Sequence, residues 1–370
     1  MRVLHLFKTY LPDSFAGVER VIWNIAEGTA PLGVESTVLS LSRNHRPGPQ
    51  AVGHHLARTA KLDLYLASTG LSISVFPEFA RLASQSDVIH YHFPWPMMDL
   101  LHLYANGSKP SVVTYHSDIV RQRTLAALYR PLMLHFLGEA DRLVATSPNY
   151  LASSPVLQRF AAKTSVIPIG IAETEYPPTA NDLQRWRRRV PERFFLFVGA
   201  LRYYKGLPYL IEAAKLSGLP VVVAGAGEMA SELQQLNLDN VTLVGEVSEI
   251  DKNALLTLCT VFVFPSHLRS EAFGVSLAEA ARAGKPMISC EIGTGTTYVN
   301  INNETGLTVL PADAAALASA MRRLWADDEK AAVMGQRARA RYESLFAAKA
   351  MSASYRALYE EVIEAKNRRK

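Results

Sequence analysis

The chain has 370 residues, 49% of them hydrophobic and 20% charged, with two cysteines and a formal net charge of +5. That length suggests two domains, since single cores rarely grow past about 250–300 residues. The composition excludes a disordered chain, and Cys259 and Cys290 by themselves exclude a disulfide framework or a cysteine-based zinc site, which suits a reducing cytosol.

The opening MRVLHLFKTY reads as a first strand over 3–7 and not as a secretion signal, because no small-residue cleavage site follows its short apolar run. Beyond Ala16-Gly17, the residues Val18, Val21, Ile22, Ile25 and Ala26 form one stripe at helical spacing. Further strands are predicted at 37–41, 88–91, 112–115, 143–146 and 166–169. The stretch 41–75 holds His45, His54 and His55 among scattered Gly and Pro. It is expected to be loop or variable helix, with the paired histidines a surface feature. Residues 167–171 close this strand set. The polar stretch 173–181, with Pro177-Pro178, reads as a linker, and Arg185, Arg187, Arg188 and Arg189 follow it. A fresh strand set is predicted at 194–199, 221–224, 241–244, 261–264, 287–290 and 307–310, with helices over 312–326 and 331–342. The last stretch, 347–370, should be helical and pack back on the first domain. The expected domains are therefore 1–172, joined by the helix at about 350–370, and 173–349.

Most of these strands are apolar on every residue, as in parallel sheets covered by helices on both faces. The strand–helix alternation predicts a doubly wound α/β architecture. No run approaches about 18 apolar residues, so no membrane-spanning helix is expected. The basic balance favours nucleotides, nucleic acid or anionic lipid as partners. Taken alone, the arginine run and the tail Lys366, Arg368, Arg369, Lys370 read as solvated surface.

In such folds ligands bind where strands end and helices begin, because free N–H groups and the helix dipole there attract phosphate. After the strand at 194–199 come Gly199-Ala200-Leu201-Arg202-Tyr203-Tyr204-Lys205-Gly206. Arg202 as a fork and Lys205 as a compact charge suit a diphosphate, though two solvent-facing cations fit the spacing equally. Gly225-Ala226-Gly227 marks a tight turn, and Gly245-Glu246-Val247 offers backbone groups to a nucleobase. The stretch 264–280 holds Glu271 and Glu279, eight positions apart. On one helix they would diverge by roughly 80°. Glu271 is therefore expected in a loop and Glu279 two turns into the next helix, whose N-terminus at Gly274–Ser276 would face a phosphate.

This stretch resembles the Glu-x7-Glu signature of glycosyltransferase family 4, and the resemblance covers most of the chain. Gly-Ala-Leu-Arg-x-x-Lys-Gly at 199–206, Ala-Gly-x-Gly at 224–227, Val-Gly-x-Val at 244–247 and Phe-Pro-Ser at 264–266 belong to it. So do Tyr115-His116-Ser117-Asp118 and Ala140-Asp141-Arg142. The resemblance implies a GT-B fold, two Rossmann-like domains facing across a cleft, and retaining transfer from a nucleotide-diphosphate sugar. Arg202 and Lys205 would hold the diphosphate and Glu279 the ribose. Glu271, with the backbone at Phe273, Gly274 and Val275, would hold the sugar. Val247 would meet the base, and His116 would reach sugar hydroxyls from the first domain, although by itself it also reads as a satisfied core histidine. Gly199 and Gly17 would let the backbone approach the ligand. Where the family usually has two glycines this chain has Ala16-Gly17, and Cys259-Thr260 stands where Ala-Asp is common.

No Asp-x-Asp pair occurs, so no metal or other cofactor is expected, and an Arg/Lys clamp takes the place of a divalent ion. The run 116–122 with Arg269-Ser270-Glu271 resembles mannosyl- and rhamnosyltransferases of bacterial surface polysaccharide assembly. That implies a GDP-linked donor and a polyprenyl-diphosphate-linked glycan acceptor, with no nucleic acid. A UDP-sugar donor is the alternative, and a nucleotide-sugar epimerase a more distant one. The expected location is the cytoplasm, with contact to the inner membrane face. Trp95-Pro96-Met97-Met98 reads either as an apolar loop touching that membrane or as packing in the core or acceptor cleft.

Overall fold

The computed structural model describes every residue except 16, 67–68, 106, 108, 120–122, 175, 237 and 369–370, together with the side chains of 123–126. Ala16, the end of the 116–122 run and Arg369-Lys370 thus lie outside the described residues. The chain forms two compact units, Met1–Gly170 with Ala348–Lys370, and Ile171–Ala347.

The first unit carries β1 (Arg2–Leu6), β2 (Glu35–Ser42), β3 (Gln50–Val52), β4 (His55–Lys61), β5 (Leu64–Leu66), β6 (Thr69–Leu71), β7 (Val88–Phe93), β8 (Ser111–Tyr115), β9 (Arg142–Ala145) and β10 (Thr164–Val166). Its main sheet has the order β10-β9-β8-β7-β1-β2-β4-β3, parallel except for β3, and β5 and β6 pair apart as an antiparallel hairpin. The second unit carries β11 (Phe195–Val198), β12 (Val221–Ala224), β13 (Val241–Gly245), β14 (Val261–Phe264), β15 (Met287–Cys290) and β16 (Gly306–Val309). They lie in the order β13-β12-β11-β14-β15-β16, all parallel. In each sheet the order reverses beside the first strand, between β1 and β7 and between β11 and β14. A crevice at the carboxyl ends of the strands opens at such a point.

The reading of 41–75 needs correction. This stretch is strand-rich: β4 extends the sheet beside β2, from Thr37↔Leu56 to Ser42↔Lys61. Its inward residues are small or polar, Ala57, Thr59 and Ala60, so an apolar run does not betray it. His54 is exposed, as a surface feature should be, but His55 is buried, bonded to Tyr10 Oη (2.8 Å) and to Glu27 (2.6 Å).

The helix Ala348–Asn367 packs against the Gly17–Thr29 helix within the first unit. It buries Met351, Tyr355, Leu358, Tyr359 and Val362. It also supplies two phenols to the sheet. Tyr355 Oη lies 2.9 Å from Thr114 Oγ1, and Tyr359 Oη lies 2.8 Å from His90 Nδ1. Replacing Leu358 with Ala empties a site that this helix buries. The expected loss is roughly 2–4 kcal/mol, read as a lower urea midpoint, with Leu358→Met losing much less.

Candidate active site

At the reversal point of the second sheet, β11 ends at Val198 and the chain turns through Gly199 into Arg202 and Lys205 before the helix Leu207–Ser217. Neighbouring strand-end loops hold this turn. The Leu201 N–H donates to Ala226 O (2.8 Å), and the Gly225 N–H donates to Gly245 O (2.7 Å). Val247 follows two residues beyond β13, half-buried. Gly206 closes the turn at φ +71°, and a Cβ there would lie 2.0 Å from Pro265 O. Only glycine lets these two backbones meet, and the loop after β14 is thereby pressed against the loop after β11.

That contact brings Lys205 to Glu271. Lys205 Nζ donates to Glu271 Oε2, with the side chains only 11% and 13% exposed. Lys205 Nζ also sits 4.8 Å above the Phe264 ring. Arg202 is exposed, and its guanidinium has no partner among the described residues. One cation is therefore anchored and the other is free.

The loop bearing Glu271 is tied from behind. Arg269 Nη1 donates to Gly293 O (2.9 Å), Thr294 Oγ1 to Glu271 O (2.7 Å) and the Gly295 N–H to Ala272 O (2.8 Å). Phe273 is buried. Gly274, at φ +84°, is the N-cap of the helix Val275–Arg282 and brings no side chain to it. The Leu277 N–H donates to Gly274 O (2.9 Å), which leaves the N–H groups of Val275 and Ser276 without a partner among the described residues. Glu271 does lie in the loop. Glu279 is the fifth residue of the helix, so it stands one turn in and not two.

Glu279 has a partner that the sequence reading missed. Lys252 Nζ donates to Glu279 Oε1 (2.6 Å) and pairs with Glu249 (2.8 Å), and its side chain is 9% exposed. The signal was present. Lys252 stands on the same stripe of the helix Glu249–Leu258 as buried Leu255 and Leu256, where an unpaired charge would be costly.

In the first unit, His116 follows β8, and its N–H donates to Phe93 O (3.0 Å). Burial pushes its imidazole down to about 3, so the ring is neutral near neutral pH. Its Nε2 lies 2.9 Å from His92 Nδ1. Two other motif residues are structural. Asp118 Oδ1 accepts from Tyr115 Oη (3.0 Å) and Ser154 Oγ (2.8 Å), and Asp141 Oδ2 accepts from the Ser111 N–H (3.0 Å). Gly17 begins the first helix, with open space where a Cβ would stand. Trp95, Met97 and Met98 are core residues, which decides between their two readings in favour of packing. Exposed apolar residues of this unit include Leu100, Leu103 and Tyr104 of the same helix, with Leu64, Tyr65, Leu66, Ile73 and Leu128.

With this geometry in hand, comparison with known proteins is decisive. The model "Glycosyl transferases group 1" matches residues 179–341, and "Glycosyltransferase Family 4" matches 15–175. The chain belongs to glycosyltransferase family 4. It is 52% identical to D-rhamnosyltransferase WbpZ of Pseudomonas aeruginosa over 94% of this chain and 93% of that one. It is 44% identical to O-antigen chain mannosyltransferase C of Escherichia coli over 99% and 100%. Sucrose-phosphate synthase from Thermosynechococcus elongatus shares the fold with a TM-score of 0.81 at 22% identity, covering 98% of this chain and 99% of the other. The glycosyltransferase thus has the GT-B fold, and it is a hexosyltransferase. Among the described residues, no helix is long and apolar enough to cross a membrane.

Two outcomes test the site's construction. Lys252→Met should cost this glycosyltransferase roughly 3 kcal/mol by leaving Glu279 unpaired, while Lys252→Met with Glu279→Gln should cost less, in a urea titration of each. Gly206→Ala should cost roughly 1–3 kcal/mol by forcing the two loops apart, read as a lower urea midpoint.

Proposed function

We propose that the enzyme transfers mannose or a deoxyhexose such as rhamnose, with retention of configuration, from a GDP-sugar to a polyprenyl-diphosphate-linked glycan in O-antigen assembly. The observation that carries this reading is the free Arg202 beside the Lys205–Glu271 pair and the bare helix N-terminus at Gly274. The sugar preference draws support from the rhamnosyl- and mannosyltransferase relatives.

On this reading the diphosphate lies between Arg202, Lys205 and the N–H groups that open the Val275–Arg282 helix. These groups stabilise charge as the bond to the leaving diphosphate loosens toward an oxocarbenium-like state. The incoming diphosphate competes with Glu271 for Lys205, and the released carboxylate accepts a sugar hydroxyl. Glu279 takes the ribose through the oxygen that Lys252 leaves free. Val247 presents its backbone to the base, and His116 serves a hydroxyl of the transferred sugar. The acceptor attacks the face from which diphosphate departs, and the departing phosphate takes its proton. Fixed cations do the work a divalent ion does elsewhere. A peripheral contact with the membrane, where a polyprenyl acceptor resides, draws on the exposed Leu64, Leu66, Ile73, Leu100 and Leu128.

Thermal unfolding without added metal should show stabilisation by GDP, GDP-mannose and GDP-rhamnose and little by UDP-sugars. Stabilisation by UDP species alone would overturn the donor while keeping the chemistry. Lys205→Ala and Glu271→Ala should each lower kcat by about 10²–10³ without altering the circular dichroism. Near-normal turnover in either would sink the assignment. In vesicle flotation with anionic lipid, Leu66→Glu with Ile73→Glu should reduce the bound fraction.

A further inference from the structure

Three buried histidines of the first unit stand in single file. His116 Nε2 lies 2.9 Å from His92 Nδ1, His92 Nε2 3.1 Å from His5 Nδ1, and His5 Nε2 3.3 Å from Ser36 Oγ. The file runs from the end of β8 across β7 and β1 to the second residue of β2. His90 leans on His92 at 4.2 Å between ring centroids but bonds elsewhere, to Thr114 Oγ1 (2.7 Å) and Tyr359 Oη (2.8 Å). His5, His90 and His92 are close enough to share a metal ion. Every one of their ring nitrogens already has a protein partner, however, so the geometry is that of a hydrogen-bond chain.

Burial holds these rings neutral: His5 and His116 are pushed down to about 3, and His90 and His92 well below their ordinary value. A neutral imidazole carries one N–H, and each nitrogen–nitrogen contact accommodates one proton. The tautomer of one ring therefore dictates the others, and two arrangements exist. In the first, all protons sit on Nε2 and point toward Ser36. The Ser36 hydroxyl proton then has no acceptor among the described residues, although the residue is only 3% exposed. This arrangement also leaves His116 Nδ1 a bare acceptor, so two groups at the ends of the file go without a protein partner, each at a cost. In the second, Ser36 donates to His5 Nε2, His5 Nδ1–H to His92 Nε2, and His92 Nδ1–H to His116 Nε2. The donor left over is His116 Nδ1–H, which no described residue takes.

We propose that Ser36, His5 and His92 are positioning residues that fix His116 as its Nδ1–H tautomer, making it a hydrogen-bond donor to an oxygen of the transferred sugar and not a base. The ligand part rests on the function proposed above, whereas the tautomers are a property of the protein alone.

The test uses the full chain with 15N-labelled histidine and long-range proton–nitrogen correlation near neutral pH. The expected result is a protonated Nδ1 and a bare Nε2 in His5, His92 and His116 alike. Protonated Nε2 in these rings, or an imidazolium among them, would overturn the inference. In Ser36→Ala the His116 signals should move toward a mixture of tautomers, with the donor-sugar KM raised roughly 5–10-fold, the worth of one hydrogen bond, and kcat changed less. Ser36→Thr should restore both. Unmoved signals and kinetics in Ser36→Ala would count against the proposal. If the wild-type enzyme turned over no nucleotide sugar, the transferase reading would fail while the nitrogen signals still decided the tautomer.

Discussion

The central strands of both sheets are buried on both faces, and most else follows from that. Every residue of β7, β8, β11, β12, β14 and β15 is buried. Water cannot reach a polar group there, so any polar group inside must find a protein partner or cost several kcal/mol. The histidines of β1 and β7 obey this. Their nitrogens are used by one another, by His116, Ser36 and Thr114, and by a phenol from the C-terminal helix. That helix is therefore more than an apolar cover. Its Tyr355 and Tyr359 complete hydrogen bonding that the sheet cannot complete by itself.

The same constraint pushes chemistry to the strand ends. There the chain leaves the sheet, backbone groups lose their ladder partners, and helices start with unsatisfied N–H groups. The second sheet puts its two charged loops at the one place where consecutive connections run to opposite sides, after β11 and after β14. Gly206 lets those loops touch, and the touch creates the Lys205–Glu271 pair. A largely buried lysine alone would be penalised by desolvation; paired, it is held ready in one position.

How much of this was legible can be judged residue by residue. The fully buried strands showed themselves because parallel strands leave unbroken apolar runs. β4 did not, because its buried positions are His55, Ala57, Thr59 and Ala60 and its exposed ones include Leu56, so hydrophobicity points the wrong way. The loop position of Glu271 was legible from the eight-residue spacing. Its partnership with Lys205 was not, since they lie 66 residues apart and meet only through two turns. The histidine file was not read from the sequence, although His5, His90 and His92 interrupt otherwise apolar strands, where a polar residue needs a buried partner. Which ring meets which depends on register, namely His5 beside His90 across β1 and β7.

The distribution of charge gives the site a direction. Around the β11 turn, Lys205 is paired with Glu271, Glu228 accepts from the Tyr203 N–H (3.4 Å) and Arg202 has no partner among the described residues, while the dipole of the Val275–Arg282 helix adds positive potential. One turn along that helix the balance inverts, because Lys252 is shared between Glu249 and Glu279. Its bond to Glu279 Oε1 leaves Oε2 without a partner among the described residues. On the function proposed above, the diphosphate would lie toward the first end and the ribose toward the second, which sets one orientation for the donor. The polarity comes from pairing: Lys205 is held by Glu271, Lys252 by Glu249 and Glu279, and Arg202 stands unpaired among the described residues.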